Sequence, residues 1–228
     1  MLTPEEWEAI LLSLRVASVA VLASLVPGVI FAYLLARGRF PGKLLLDGLV
    51  HLPLVLPPVV VGYVLLLLFG ARGPLGAFFS DWLDLSFAFS WRGAVLAAAV
   101  MGFPFMVRAI RLSLEAVDPG LEAAARTLGA GRCAVFFSVT LPLIAPGILA
   151  GSLLAFAGAL GEFGATITFV ASIPGETQTI PLAIFRAVQS PGGEAAAARL
   201  ALISVTLALL ALGGSEILAR RWKRRLAG

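Results

Sequence analysis

The run GEFGATITF, residues 161–169, sets a carboxylate, Glu162, and two hydroxyls, Thr166 and Thr168, among apolar neighbours. A carboxylate at the centre of a membrane helix costs about 2.5 to 3.5 kcal/mol even on the lower scales, so Glu162 needs a partner or water. Thr166 follows one helical turn later on the same face, and the two would line a polar cavity. Two blander readings stand beside that one: a residue near the membrane interface, or a structural carboxylate bonded to Arg15 or Arg92 of a neighbouring span. Because like charges repel, Glu162 is expected to be structural or gating rather than the ligand of an anion. Phe163, Gly164, Thr166 and Thr168 join it as candidates for a pathway or gate.

Other chemistry is hard to assemble. His51 is the sole histidine and has only Asp47 nearby, so a packed or interfacial histidine is the expectation and no metal site or triad forms locally. Gly42-Lys43 is followed by Leu44, which breaks the phosphate-loop pattern, and no GxSxG or HExxH occurs. Neither a catalytic group nor a metal or cofactor bound by this chain is expected. Cys133 is the only cysteine, so no internal disulfide can form, and a small buried residue is expected there.

One polar stretch remains. Asp118-Pro119-Gly120 is a stop and restart signal, and LEAAARTLG, residues 121–129, is a helix of strong formers with Glu122 and Arg126 placed to pair at i, i+4. Gly129 and Gly131 end it, and CAVFFSVTLP leads on to Pro142. The segment is too polar to insert and too short to fold alone. A solvated face is the plain reading; a docking helix is the one its length and glycine punctuation favour.

The elements that hold these residues are membrane spans. The chain of 228 residues is 60% hydrophobic and only 13% charged, about half the charge of an ordinary globular domain. Five apolar runs approach the roughly 20 residues that cross a bilayer: about 10–35, 49–69, 93–107 with a basic extension, 141–161 and 200–218. No polar segment is long enough for a separate domain, so one domain over 1–228 is expected. MLTPEEWEAI has three glutamates and no basic region, which argues for a retained first span rather than a cleaved signal.

Twelve of the 17 basic residues fall in three connections: Arg37, Arg39 and Lys43; Arg108, Arg111, Arg126 and Arg132; and the tail Arg220, Arg221, Lys223, Arg224 and Arg225. With five spans these share one side, the cytoplasm by the positive-inside rule, so the N-terminus is expected outside and the C-terminus inside. The same placement explains the net charge of +4 without nucleic acid. Trp82 and Trp91 then sit at the outer interface. The outer connections are about 71–91, with a surface-lying FFSDWLDLSF, and 172–199, where PLAIFRAVQ makes a half-helix. Counting that short segment gives six helices, but a sixth full span would spoil the charge asymmetry.

Two spans carry special features. Pro53, Pro57 and Pro58 lie within six residues, and an interior proline costs about 3 kcal/mol, so the second span is expected to bend or break. A break at membrane depth is either a packing kink or the lining of a pathway, and Pro57 and Pro58 are candidates for the latter. In the fourth span Gly147, Gly151, Ala155 and Ala159 recur at every fourth position, a groove for close approach of another helix.

The spacing Gly129, Val139, Leu141 and Pro142 resembles the EAA motif of the transmembrane subunits of binding-protein-dependent ABC importers. The match departs at the glutamate, which in the family lies six residues before the glycine; Glu122 lies seven before Gly129, and Ala123 takes the aligned position. Further, LPLVLPPVVVGYVLLLLFG, GEFGATITFV, IPGETQTIPLAIF and SPGGEAAAARLALISV resemble the molybdate-type permeases over nearly the whole chain. The resemblance implies an all-α membrane protein with the type I ABC importer transmembrane fold, in the inner membrane of a prokaryote. It implies a homodimer that forms the path for molybdate or tungstate, an extracytoplasmic oxyanion-binding protein, and two cytoplasmic ABC ATPase subunits that hold ATP and Mg. The loop at about 116–140, with Pro119, Leu121, Glu122, Ala123, Ala124, Arg126, Gly129, Val139, Leu141 and Pro142, would be the coupling segment for those ATPases. A sulfate or thiosulfate permease is the alternative within the class. An intramembrane enzyme around Glu162 lacks a second catalytic group, and a passive channel leaves the polar helix unexplained.

Overall fold

The computed structural model describes residues 2–226, and side chains in the last helix through Ala211. Its helices are α1 (Pro4–Arg37), α2 (Lys43–Val55), α3 (Pro58–Phe69), α4 (Pro74–Leu83), α5 (Trp91–Glu115), α6 (Pro119–Thr127), α7 (Arg132–Val135), a π-turn (Phe136–Thr140), α8 (Leu141–Leu160), α9 (Gly164–Val170), α10 (Ile180–Gln189) and α11 (Glu194–Leu226). Four stretches are long and apolar enough to cross a membrane: α1, α5, the continuous run from α7 to the end of α8, and Glu194–Ala211 of α11. The pair α2 and α3 makes a fifth if counted as one broken span. The basic tail from Arg220 to Arg225 lies outside the described side chains.

Local sequence starts these helices where it should. Thr3 and Glu6 form a reciprocal capping box on α1, with Thr3 Oγ1 accepting from the Glu6 amide at 3.2 Å and Glu6 Oε2 accepting from the Thr3 amide at 2.8 Å. Ser90 caps α5 and Asp118 caps α6. Because Pro119 takes the first helical position, α6 begins two residues before the expected 121 and ends at Thr127. The basic extension of the third span continues the same helix to Glu115.

At the centre α5 packs along both α1 and α8, which also touch each other. The small-residue stripe of α8 faces α5. A methyl added at Gly151 would lie 2.9 Å from the Met106 carbonyl oxygen, and Gly102 of α5 meets Ala155 in turn. Two apolar clusters fill the two ends of this bundle. One joins Ala17, Ala97, Ala165 and Phe169; the other joins Leu35, Met106, Ile110 and Ile144.

The proline-rich span breaks at Leu56–Pro57, and its halves diverge by 116°. Two expectations change. The fourth span ends at Leu160, within a residue of the expected 161, but no helix continues through Glu162, because α9 starts separately at Gly164; Glu162 and Thr166 therefore do not share a face of one helix. Cys133 is exposed, since α7 turns only Val135 inward. The segment PLAIFRAVQ is helical as α10, whose ten residues are too few to span.

Gly151→Val should push α5 and α8 apart and lower stability by about 1 to 3 kcal/mol, the usual cost of overpacking. Gly158→Ala, whose methyl would meet open space, should leave the thermal unfolding midpoint in detergent unchanged or slightly raised. Equal midpoints for Gly151→Val and the unmodified protein would show that the α5–α8 contact is slack.

Candidate functional site

One end of the bundle gathers the polar helix and its supports. In α6, Leu121, Ala123, Ala124 and Arg126 are exposed, as are Leu128 and Gly129 just after it, and Glu122 is turned inward. Leu121 and Leu128 lie seven residues apart and so share a face; Leu128 is 88% exposed. Glu122 Oε1 accepts from Thr140 Oγ1 at 3.0 Å and lies 3.7 Å from Arg37 Nη2, while its other oxygen is 3.8 Å from Arg126 Nη2. The Arg37 guanidinium also donates to the Val117 carbonyl at 3.0 Å. Gly129 leaves α6 at φ +90°, where a side chain would be strained. Val139 lies in the π-turn, and Leu141 and Pro142 start α8. A polar cavity of about 190 Å³ between Tyr33, Glu122, Arg126, Arg132 and Phe136 opens beside them.

Midway along α5, the start of α3 meets the start of α9. A methyl on Gly164 would lie 2.7 Å from Pro58 Cβ, and one on Gly62 would lie 2.5 Å from the Ala165 carbonyl oxygen. Pro58, Met101, Phe105, Gly158, Glu162, Phe163 and Gly164 line a cavity of about 320 Å³. Glu162 is buried, and its oxygens accept from the amides of Ala165 (2.9 Å) and Thr166 (3.2 Å) and from Thr166 Oγ1 (2.8 Å). The carboxylate thus caps α9, where the orphan amides and the helix dipole favour a negative charge. The partner expected from a neighbouring span is not used: the Arg15 guanidinium stacks 3.8 Å above the Trp91 ring. Among the described residues Glu162 makes no ion pair. Thr168 bonds the Gly164 carbonyl at 2.9 Å, Thr166 is sealed in the core, and Pro57 is exposed at the break.

Sequence reasoning missed Arg37, Thr140 and the Val117 carbonyl, which converge from three elements with no short-range pattern. It also missed the far end, where the Arg199 guanidinium grips buried Glu6 at 2.7 Å and the Ile180 amide donates to Ser13 Oγ at 2.7 Å. His51 Nδ1 lies 2.9 Å from the backbone carbonyl oxygen of Asp47, whose carboxylate accepts from Arg111 at 3.0 Å. No cluster of metal-ligating side chains occurs among the described residues.

Residues 28–224 match the family model described as "Binding-protein-dependent transport system inner membrane component". The chain is 64% identical over 225 residues to the "Molybdenum transport system permease protein ModB" of Escherichia coli (strain K12), covering 99% of this chain and 98% of that protein. It is 38% identical over 228 residues to the "Sulfate transport system permease protein CysT" of the same organism, covering 99% of this chain and 80% of that one. Among solved structures, the MetNI methionine ABC transporter in inward-facing conformation superposes with a TM-score of 0.73 at 16% identity, covering 97% of this chain and 99% of that one. The fold is that of type I ABC importer transmembrane subunits.

The capping role of Glu162 is open to test. Glu162→Gln places an amide NH2 where one oxygen accepts a hydrogen bond, so a buried donor loses its acceptor. The loss should be about 1 to 3 kcal/mol, read as a lower thermal midpoint in detergent. An unchanged midpoint would show that the carboxylate does not hold α9.

Proposed function

The chain belongs to the binding-protein-dependent transport system inner membrane component family, and on that premise we propose that two copies of it form the path by which molybdate or tungstate is imported. A permease of this family works with ATPase subunits and a substrate-binding protein and has no catalytic site of its own. The observation that carries the substrate is the 64% identity to a molybdenum permease along almost the full length of both chains, against 38% to a sulfate permease that the chain covers less completely.

The arrangement supports a mechanism. The end bearing α6 faces the cytoplasm in this reading, as the clustering of Arg37, Lys43, Arg111, Arg126 and Arg132 there would require. The apolar face of Leu121 and Leu128 meets an ATPase, one per copy, so that the segment 116–140 is the coupling loop. The connections 71–91 and 172–199 face the binding protein outside. Closure of the ATPases on ATP and Mg moves α6, and the α5–α8 unit rocks as a rigid body to switch the pathway between inward-open and outward-open. Pro57, Pro58, Phe163, Gly164, Thr166 and Thr168 belong to the region where that pathway opens and closes. Glu162 serves it structurally, because a carboxylate repels an oxyanion and its lone pairs are already bonded to α9.

ATP hydrolysis by the complex reconstituted in liposomes should rise with binding protein loaded with molybdate or tungstate, and not with sulfate. Stimulation by sulfate alone would assign the chain to the sulfate permeases. Gly129→Val should sharply reduce assembly with the ATPase and the stimulated rate, because a β-branched residue is strained at φ +90° by about 1 to 3 kcal/mol. Wild-type assembly and stimulation in that variant would remove α6 and its glycine from the docking role.

A further inference from the structure

Glu122 looks at first like an outward contact for a partner, yet it is the one residue of α6 that is buried, at 7% exposure. Ala123, at the position aligned with the family glutamate, is exposed. The glutamate therefore points into the protomer, toward groups contributed by two other elements. Thr140, 1% exposed, is the last residue of the π-turn. A π-turn adds one residue to the helical ladder and so rotates the next turn by about 100°; the residue at its end is the one whose hydroxyl donates to Glu122. Arg37, the last residue of α1, lies 3.7 Å from the same Glu122 oxygen and ties itself to the chain just before α6 through the Val117 carbonyl.

We propose that Glu122 is a positioning residue that bolts α6 to the start of α8 through Thr140 and to the end of α1 through Arg37, so that displacement of α6 is delivered to two spans together. Without the bolt, α6 is joined to α5 and α7 only by short turns around Asp118 and around Gly129 to Gly131, which absorb motion instead of passing it on. A buried carboxylate suits this role because loosening any one partner leaves a charge or polar group unsatisfied. The network therefore moves as a unit or not at all. This inference rests on the transporter reading.

The test uses the permease–ATPase complex in liposomes with molybdate-loaded binding protein, measuring molybdate taken up per ATP hydrolysed. Glu122→Gln removes the charge, Thr140→Val removes the hydroxyl without changing shape, and Thr140→Ser keeps it. The first two are expected to assemble and hydrolyse ATP but to lose roughly fivefold or more in uptake per ATP, the scale of a lost coupling interaction. Thr140→Ser should match the unmodified complex. Wild-type uptake per ATP in both Glu122→Gln and Thr140→Val overturns the proposal. So does a fall in the amount of complex with uptake per ATP unchanged in what remains, which would make the network only structural. Absence of oxyanion-stimulated hydrolysis in the unmodified complex would instead overturn the transporter reading, and the inference with it.

Discussion

Close backbone approach of α5 and α8 is the contact on which the rest of the molecule depends. Lipid tails are as apolar as leucine, so helices in a bilayer gain little from hiding apolar surface and must be held by packing at short range. The stripe Gly147, Gly151, Ala155 and Ala159 supplies that packing, with Ser113, Ala109 and Met106 of α5 filling the groove. The core is correspondingly rich in alanine and glycine. Bulk at any of these positions would separate the two spans that connect the α6 end to the cavity beside Glu162.

The same constraint bears on the broken span and on the short helix α9 beside it. Non-helical backbone is tolerated at membrane depth only where protein or a wet cavity covers it. Here the two helix starts cover each other: α3 begins at Pro58 and α9 at Gly164, and these residues touch, while Gly62 lets α3 lie directly on the backbone of Ala165. Glu162 satisfies amides that a continuous α8 would have satisfied itself. Its carboxylate is thus used where the helix ends. A carboxylate in an apolar run marks a helix restart here, and the cavity it borders is lined mainly by Pro58, Met101, Phe105 and Phe163.

What the sequence made legible were features with a local period or a local cost. The apolar runs, the proline break, the four-residue stripe and the Asp118 cap each act within a turn or two, so a linear string contains them. Break geometry was less legible: Pro57 and Pro58 announce a disruption but not a 116° divergence, and the end of α8 at Leu160 carries no proline at all. Gly161 and Gly164, flanking Glu162, were the available signal. Long-range pairing was invisible. Nothing near Arg37 names Glu122, and nothing near Glu6 names Arg199, since partners 85 and 193 positions away are set by packing of whole spans. The i, i+4 rule pointed Glu122 toward Arg126, which is the longer of its contacts.

Helix α1 shows what those unseen pairings accomplish. At one end Glu6 is held by Arg199 of α11 and Ser13 accepts from the first amide of α10; at the other, Arg37 reaches the turn before α6. A helix fixed at both ends to different neighbours transmits displacement along its length, because its backbone bonds resist stretching far more than its side-chain contacts resist sliding. By contrast α2 buries only Val50 and meets α5 through that residue, Leu46 and the Asp47–Arg111 pair. Its remaining face, with Leu44, Leu45, Leu49, Leu52 and Val55, is exposed within the protomer. The protomer therefore divides into a closely packed frame of α1, α5 and α8 and a sparsely packed α2, set off at the Leu56–Pro57 break. The cavity beside Glu162 lies at the α3 side of that break, walled by Pro58 together with Met101 and Phe105 of α5 and Phe163 and Gly164 at the start of α9, so it belongs to the packed part of the protomer and not to α2.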